Sequence, residues 1–186
     1  MGLAERWQYH GTDHFRAERD KFVQSRSSGK DVVRLHLGCG DKILRGYRNI
    51  DSFGNPDEYG DITNLSYRNV EEILAIHVFE HFFPWKVEGI LKGWRECLKD
   101  GGKLILEMPD LQKILKHFKA EEISLTLTMF ALYGGDQSER IEDLHKWAWT
   151  FNSIKPVLEQ AGYREIQEKP ALYHWPTRDF RVEAIR

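Results

Sequence analysis

The chain has 186 residues, 41% of them hydrophobic, enough to bury one sizeable core and too few for two ordinary domains. Its formal net charge of -2 excludes the strong positive field with which proteins grip phosphate backbones, so no nucleic-acid partner is expected and a compact acceptor fits better. No apolar run approaches the ~20 residues that span a bilayer, the opening MGLAERWQYHGTDHF lacks a signal peptide's apolar stretch, and Cys39 and Cys97 share no CxxC spacing, so a cytoplasmic protein with reduced thiols, no membrane partner and no zinc knuckle is expected.

In chain order, residues 12–23 carry Phe15, Ala17 and Phe22 among charges and read as a short amphipathic helix. The turn-forming run QSRSSGKD (24–31) joins it to a core over 32–186, and the whole reads as a single domain. From Val32, VVRLHLGCG is an apolar run of strand length that ends abruptly at glycines, as a buried strand feeding a ligand-binding turn does. Tyr47 to Asp51 (YRNID) is a second short strand, and Ile73 to His77 (ILAIH) a further apolar one that runs into HVFEHFFPW. Between Pro84 and Lys99, the positions Val87, Ile90, Leu91, Trp94 and Leu98 follow helical spacing, with Gly101-Gly102 past the end. KLILEM (103–108) is then a buried strand, and the order strand, helix, Gly-Gly, strand implies a right-handed parallel crossover. Further helices are expected at 110–119, 121–132 and about 153–161, the last with Pro156 in its first turn. YREIQE and DFRVEAI alternate and form a closing antiparallel pair.

Gly38-Cys39-Gly40 follows the first strand directly, where positions without side chains let the backbone turn sharply and approach a nucleotide-like ligand. Asp51 ends the second strand where an α/β nucleotide site places a carboxylate for the ribose hydroxyls; the plainer alternative is a cap. Asp61-Ile62, closing EYGDI, offers a carboxylate and an apolar contact to an adenine ring, or Asp61 simply caps a turn.

The ordered segments LHLGCG, NID, GDI, IHVFEHF and LKDGGKLILEMPD resemble the motifs of class I S-adenosylmethionine-dependent methyltransferases, over roughly residues 32–168. The subgroup it most resembles is a set of small methyltransferases of type 11-like pattern with an EHF segment. The resemblance implies a Rossmann-like three-layer α/β sandwich with a mostly parallel seven-stranded sheet whose last strand is antiparallel. It implies S-adenosyl-L-methionine as cofactor, with S-adenosyl-L-homocysteine as product. Gly38, Cys39 and Gly40 would pass beneath the methionine part, Asp51 would hold the ribose, Asp61 and Ile62 would face the adenine, and His77 would line the pocket. Two departures stand out. Lys42 replaces the third glycine of GxGxG, and the interval to Asp51 is too short for the usual helix, leaving a turn at 43–46.

His77-Val-Phe-Glu80-His81 also matches H-x-x-E-H, a zinc-peptidase signature, but an apolar strand abuts His77 and Pro84 follows His81 closely, which argues against the helix that motif needs. No metal ligands are therefore assigned. An NAD-dependent oxidoreductase is disfavoured by Ile43, where the dinucleotide pattern wants glycine.

Glu80 reads as a brace for the turn. His81 stands at the carboxyl end of a parallel strand, the side on which open α/β sheets bind ligands, and imidazole is the usual general base near neutral pH. The loop Gly134 to Trp149 gathers Asp136, Gln137, Asp143, His145 and Lys146, with Trp147 and Trp149 as candidate pocket walls, the plainer alternative being core or sugar-stacking surface. Similar proteins carry an HK pair here, which makes His145 a second candidate base. The expected function is methyl transfer from S-adenosylmethionine to a small-molecule or glycan acceptor, with His81 and His145 catalytic; the alternatives are a non-catalytic cofactor-binding module and, behind it, a zinc hydrolase using His77, Glu80 and His81.

Overall fold

The computed structural model describes Lys21 and residues 33–134 and 140–186. Apart from Lys21, the helix and linker expected over 12–31 lie outside the described residues, as do Asp136 and Gln137.

Seven strands form one sheet: β1 (Arg34–Leu37), β2 (Arg48–Asp51), β3 (Glu58–Tyr59), β4 (Val70–Ile76), β5 (Leu98–Pro109), β6 (Arg164–Pro170) and β7 (Asp179–Ile185). Their order is β3-β2-β1-β4-β5-β7-β6. The pairs from β3 through to β5 are parallel, while β7 runs antiparallel to both of its neighbours, β5 and β6. The expected Rossmann-like class, its seven strands and its closing antiparallel pair are all present.

Alternation along the central strands separates two apolar faces, because successive side chains of a strand point to opposite sides. Ile73 and Ala75 of β4 and Leu104, Leu106 and Met108 of β5 join the main core, which also holds residues of α1 (Pro84–Cys97) and α4 (Phe151–Gln160). Leu74 and Ile105 face the other way, into a smaller cluster with Tyr47 that Leu44, Ile76 and Tyr173 partly cover. Trp94 of α1 is fully buried in the main core and donates its indole N–H to the Ile62 carbonyl at 2.6 Å. Burying an apolar side chain of this kind contributes about 1.5–3 kcal/mol.

Pro84 occupies the first turn of α1, where its missing N–H has no intrahelical partner to lose. Asp110 caps α2 (Leu111–Lys119) by accepting from the Gln112 and Lys113 amides, and Ser124 caps α3 (Leu125–Tyr133). Several boundaries differ from the sequence reading: α3 begins at Leu125 rather than 121, after its Ser124 cap, and three other differences have a visible cause. β4 begins at Val70, since Glu71 and Glu72 belong to the strand despite their charge; Glu72 is buried and accepts the Tyr47 hydroxyl proton. β5 begins at Leu98, immediately after α1, so Gly101, at φ +73, lies within the strand across a register shift against β4. α4 starts at Phe151 because Thr150 and Ser153 form a reciprocal capping box, and Pro156 therefore sits inside the helix rather than in its first turn.

The sheet's direction of growth reverses between β1 and β4: β2 and β3 lie on one side of β1, and β4 and β5 on the other. Such a switch point opens a crevice beyond the carboxyl ends of the strands. Gly38, after β1, and His77, after β4, flank it.

Candidate functional site

A cleft of about 1450 Å³ occupies that crevice. Gly38, Cys39, Gly40, Asp51, Asp61, Ile62, His77 and His81 all line it, so the structure gathers eight of the nine singled-out residues around one space. His145 stands just behind, its ring 4.9 Å from that of His81 and nearly perpendicular to it.

The first wall is made of backbone. Gly38 and Gly40 adopt φ of +66 and +53, left-handed values that side chains resist. A Cβ added at Gly38 would fall 2.4 Å from Val78 Cγ2, whereas one added at Gly40 would meet no protein atom and would project into free space. The Gly38 amide donates to the Ile50 carbonyl at 2.9 Å, and the Gly40 amide to Asp51 Oδ2 at 2.7 Å. Asp51 Oδ1 takes a second amide, from Phe53, at 3.0 Å. A carboxylate accepts about four hydrogen bonds, so Asp51 keeps capacity for a ligand's hydroxyls.

The short turn in place of a helix after β1 is tied down by Asn49. Its Oδ1 accepts from the Leu44 amide and from His36 Nδ1, both at 2.9 Å, and its Nδ2 donates to the Leu44 and Tyr47 carbonyls and to Asp57 Oδ2. Burial pushes the Cys39 thiol up to about 11, which keeps it protonated and unreactive. Asp61 does cap a turn, accepting from the Thr63 amide and hydroxyl, and it borders the cleft as well.

The opposite wall is made of buried charge. His77 takes a left-handed φ of +53, rare for a β4-terminal side chain of this size. Its Nδ1 lies 2.9 Å from Glu80 Oε1 and its Nε2 3.0 Å from Asp179 Oδ2, with both carboxylates buried. Arg178 adds two bonds to Asp179, from Nε at 2.5 Å and from Nη2 at 2.9 Å. Burial alone would lower the His77 imidazole, but Glu80 and Asp179 outweigh it and push it up to about 9. Burial would raise both carboxyls, and the cations beside them win, holding Glu80 and Asp179 below the usual range. His174, ring to ring with His77 at 4.0 Å, is driven the other way, down to about 3, by burial and by the His77 charge. Half-buried His77 thus stands between two buried carboxylates that favour its charged form.

The H-x-x-E-H run does not form a zinc-peptidase helix. His77 leaves β4 in a left-handed conformation, and Phe79–His81 is a single 3-10 turn. The two histidines consequently join different groups: His77 with His174 and Asp179, and His81 with Glu80 and His145. Two backbone bonds, from the Lys146 and Trp147 amides to the Glu80 carbonyl, bring the 145–147 segment against that turn.

Trp147 and Trp149 do not line the cleft. A β-bridge to Asp110 and the Leu111 amide draw Trp149 into the core, and Trp147 lies exposed, edge-on to it. Lys146 and Asp143 of the same segment do line the cleft, with Arg140 and Glu142.

Sequence reasoning missed the contribution of 171–179. Because β7 is antiparallel, Asp179 pairs with Pro109, and the loop before it lands at the carboxyl edge of β5, beside the cleft. Buried Glu107 holds that loop by accepting the Leu172 amide at 2.6 Å and the Tyr173 amide at 2.9 Å.

No protein-family model and no curated protein sequence matches the chain. Solved structures do. A candidate O-methyltransferase from Nostoc punctiforme superposes with a TM-score of 0.62 at 11% identity, over 94% of this chain and 57% of that one. A SAM-dependent methyltransferase from Archaeoglobus fulgidus gives 0.59 at 12% identity, over 94% of both chains. Human N-acetylserotonin methyltransferase, solved with SAM, gives 0.54 at 15% identity, over the whole of this chain and 56% of that one. The chain therefore spans a little over half of the Nostoc and human proteins and nearly all of the Archaeoglobus one. The fold is the Rossmann-like fold of S-adenosylmethionine-dependent methyltransferases.

Proposed function

We propose that the chain is an S-adenosylmethionine-dependent methyltransferase acting on a small-molecule or glycan acceptor. The observation that carries this is the pairing of the left-handed Gly38–Gly40 turn with Asp51 at the switch point of a methyltransferase-type sheet. The cavity fits the cofactor in chemistry as well as in size. Gly40 leaves room for close approach, Asp51 has unused acceptor capacity, and half-buried Ile62 offers an apolar face beside Asp61.

Bound S-adenosylmethionine supplies an electrophilic methyl group on a sulfonium. Gly38, Cys39 and Gly40 hold the methionine part, Asp51 the ribose hydroxyls, and Asp61 with Ile62 the adenine edge. His77, held between Glu80 and Asp179, closes the floor of the pocket. His81 faces the cleft and, with His145 behind it, supplies the acceptor-side imidazoles that take the acceptor's proton. Burial lowers the His145 imidazole, which favours the neutral form that a base requires. Alignment of acceptor and methyl donor is the main demand of such a displacement, so few catalytic groups suffice.

A stacked, exposed pair of rings supports a glycan among the acceptor classes. Phe83 and Trp85 lie 4.7 Å apart at 13°, with Lys146 of the cleft 5.8 Å from the Phe83 ring. Aromatic faces of this kind suit the apolar face of a sugar. The test is transfer of labelled methyl from S-adenosylmethionine to pooled sugars, phenols, amines and carboxylic acids. Turnover that His81→Ala or His145→Ala lowers at least tenfold supports the assignment. Full turnover in both variants removes the catalytic half, and cofactor binding without turnover in any class favours a binding module.

A further inference from the structure

Glu80, His81 and His145 each offer one donor atom, and these three atoms lie within 4.8 Å of one another. We propose that they form a binding site for a transition-metal dication of the zinc class, with its open coordination positions facing the cleft.

Two imidazoles and a carboxylate are the donor set of catalytic zinc and related dications, which keep a further position for water or substrate. In a tetrahedral site with bonds near 2.0–2.1 Å, donor atoms stand about 3.4 Å apart, so each donor here moves inward by less than about 1 Å to close on an ion. His145 Nε2 stands 4.0 Å from Glu80 Oε1, and no pair among the three donors exceeds 4.8 Å.

Glu80 is the observation that asks for a cation. Its side chain is 1% exposed, Oε1 meets the His77 imidazole at 2.9 Å, and Oε2 has no hydrogen-bond partner among the described residues. His77 balances part of its charge from one side only. A buried carboxylate with lone pairs to spare is costly unless it is paired or coordinates a metal.

The surroundings hold the ligands in place, as outer partners of metal sites do. His81 Nδ1 lies 3.1 Å from the Glu142 carbonyl and 3.3 Å from that of Leu144. Glu80 is backed by His77, which is backed in turn by Asp179. His81 borders the cleft and gives an ion its way in.

The second trio, His77, His174 and Asp179, does not qualify. Asp179 is already bonded by His77 and twice by Arg178, and the Arg178 guanidinium comes within 3.2 Å of His77 Nε2, so an added dication would meet two cations.

Binding itself is independent of the methyl-transfer reading. Its catalytic consequence rests on that reading: an acceptor hydroxyl bound to the metal would give its proton to solvent more readily, and the two imidazoles would serve as ligands rather than as bases.

The test is titration of metal-stripped, full-length protein with Zn²⁺ by calorimetry and with Co²⁺ by visible absorption, beside a separate titration with S-adenosylmethionine in chelator. One equivalent of Zn²⁺ is expected at about micromolar affinity, with Co²⁺ bands of four- or five-coordination. His81→Ala and His145→Ala each weaken binding at least tenfold, while His174→Ala leaves it within about twofold. Glu80→Gln is read only if its circular dichroism is native, and His81→Ala, at the cleft surface, serves where it is not. No stoichiometric Zn²⁺ binding, or binding lost in His174→Ala and kept in His145→Ala, overturns the proposal. The cofactor titration in chelator stands or falls separately.

Discussion

The two walls of the cleft are built on different physics. The wall after β1 and β2 consists of backbone amides, glycines and Asp51 within one short stretch of chain. The wall after β4 consists of buried charges drawn from three segments, with His77 and Asp179 separated by 102 residues. The first wall is shaped by the absence of side chains, so changes there should fall mainly on ligand binding. The second is held by charges that stabilise one another out of water, so changes there should fall mainly on stability.

The largest effect tests the second wall. His77→Ala leaves buried Glu80 without the imidazole beside it and Asp179 with Arg178 alone, and should cost about 3–5 kcal/mol, read as a lower urea midpoint. A loss under about 1 kcal/mol would mean that the cluster is solvated and that the contrast between the walls is false.

The same cluster fixes a pH profile. The folded value of about 9 for His77 lies above its ordinary 6.5, so its stabilisation is full below about pH 6.5 and is lost as the pH rises through 9. The folded value of about 3 for His174 lies below 6.5, so its contribution is present above 6.5 and is lost as the pH falls toward 3. Burial lowers His36 and His145 in the same direction as His174. Stability should therefore peak near pH 6.5. Urea midpoints across pH 5–9.5 should show that peak in the wild type, a loss of slope on the alkaline side in His77→Gln, and a shallower acid side there too, because His174 loses the neighbouring charge that helps to lower it.

Gly38→Ala comes next, because it meets both a left-handed φ and the Val78 side chain. The expected loss is about 2–4 kcal/mol, of which Val78→Ala in the same chain restores the steric part and leaves the backbone part. Asn49→Ala should cost about 1–3 kcal/mol, since it orphans buried partners at the turn that replaces the usual helix.

Gly40→Ala sharpens the comparison most with the smallest stability effect. Only its φ resists a side chain, so about 1 kcal/mol is expected in the urea midpoint. Its methyl would project into the cleft, and cofactor affinity should fall at least tenfold. Equal losses of stability in Gly38→Ala and Gly40→Ala would show that Val78 yields freely.

Legibility in the sequence follows the same division. β1, β2, α1 and β5 announced themselves through short-range periodicity and the glycines that end it, and Gly38, Gly40 and Asp51 could be found because their partners are close in the chain. His174 reaches the cleft, and Arg178 and Asp179 reach His77 behind it, only because β7 inserts antiparallel between β5 and β6, a long-range event that no local pattern encodes. His81 and His145 could each be singled out as candidates, but not that Glu80 joins them in one cluster, since a buried carboxylate reads in sequence as a turn brace. Trp149 misled because an aromatic in a polar loop looks the same whether a β-bridge pulls it inward or not. The start of β4 was hidden by Glu71 and Glu72, and the start of α4 by giving Pro156 more weight than the Thr150–Ser153 capping box.

The most direct measurement is calorimetric titration of S-adenosylmethionine and S-adenosylhomocysteine into the wild-type protein and into Asp51→Ala. The account predicts binding at about micromolar affinity, weakened at least tenfold by Asp51→Ala, beyond the loss of about 1–2 kcal/mol in the urea midpoint that comes from the two amides it leaves unpaired. No heat from either compound, or equal affinity in the variant, would contradict the assignment of this cleft to that cofactor.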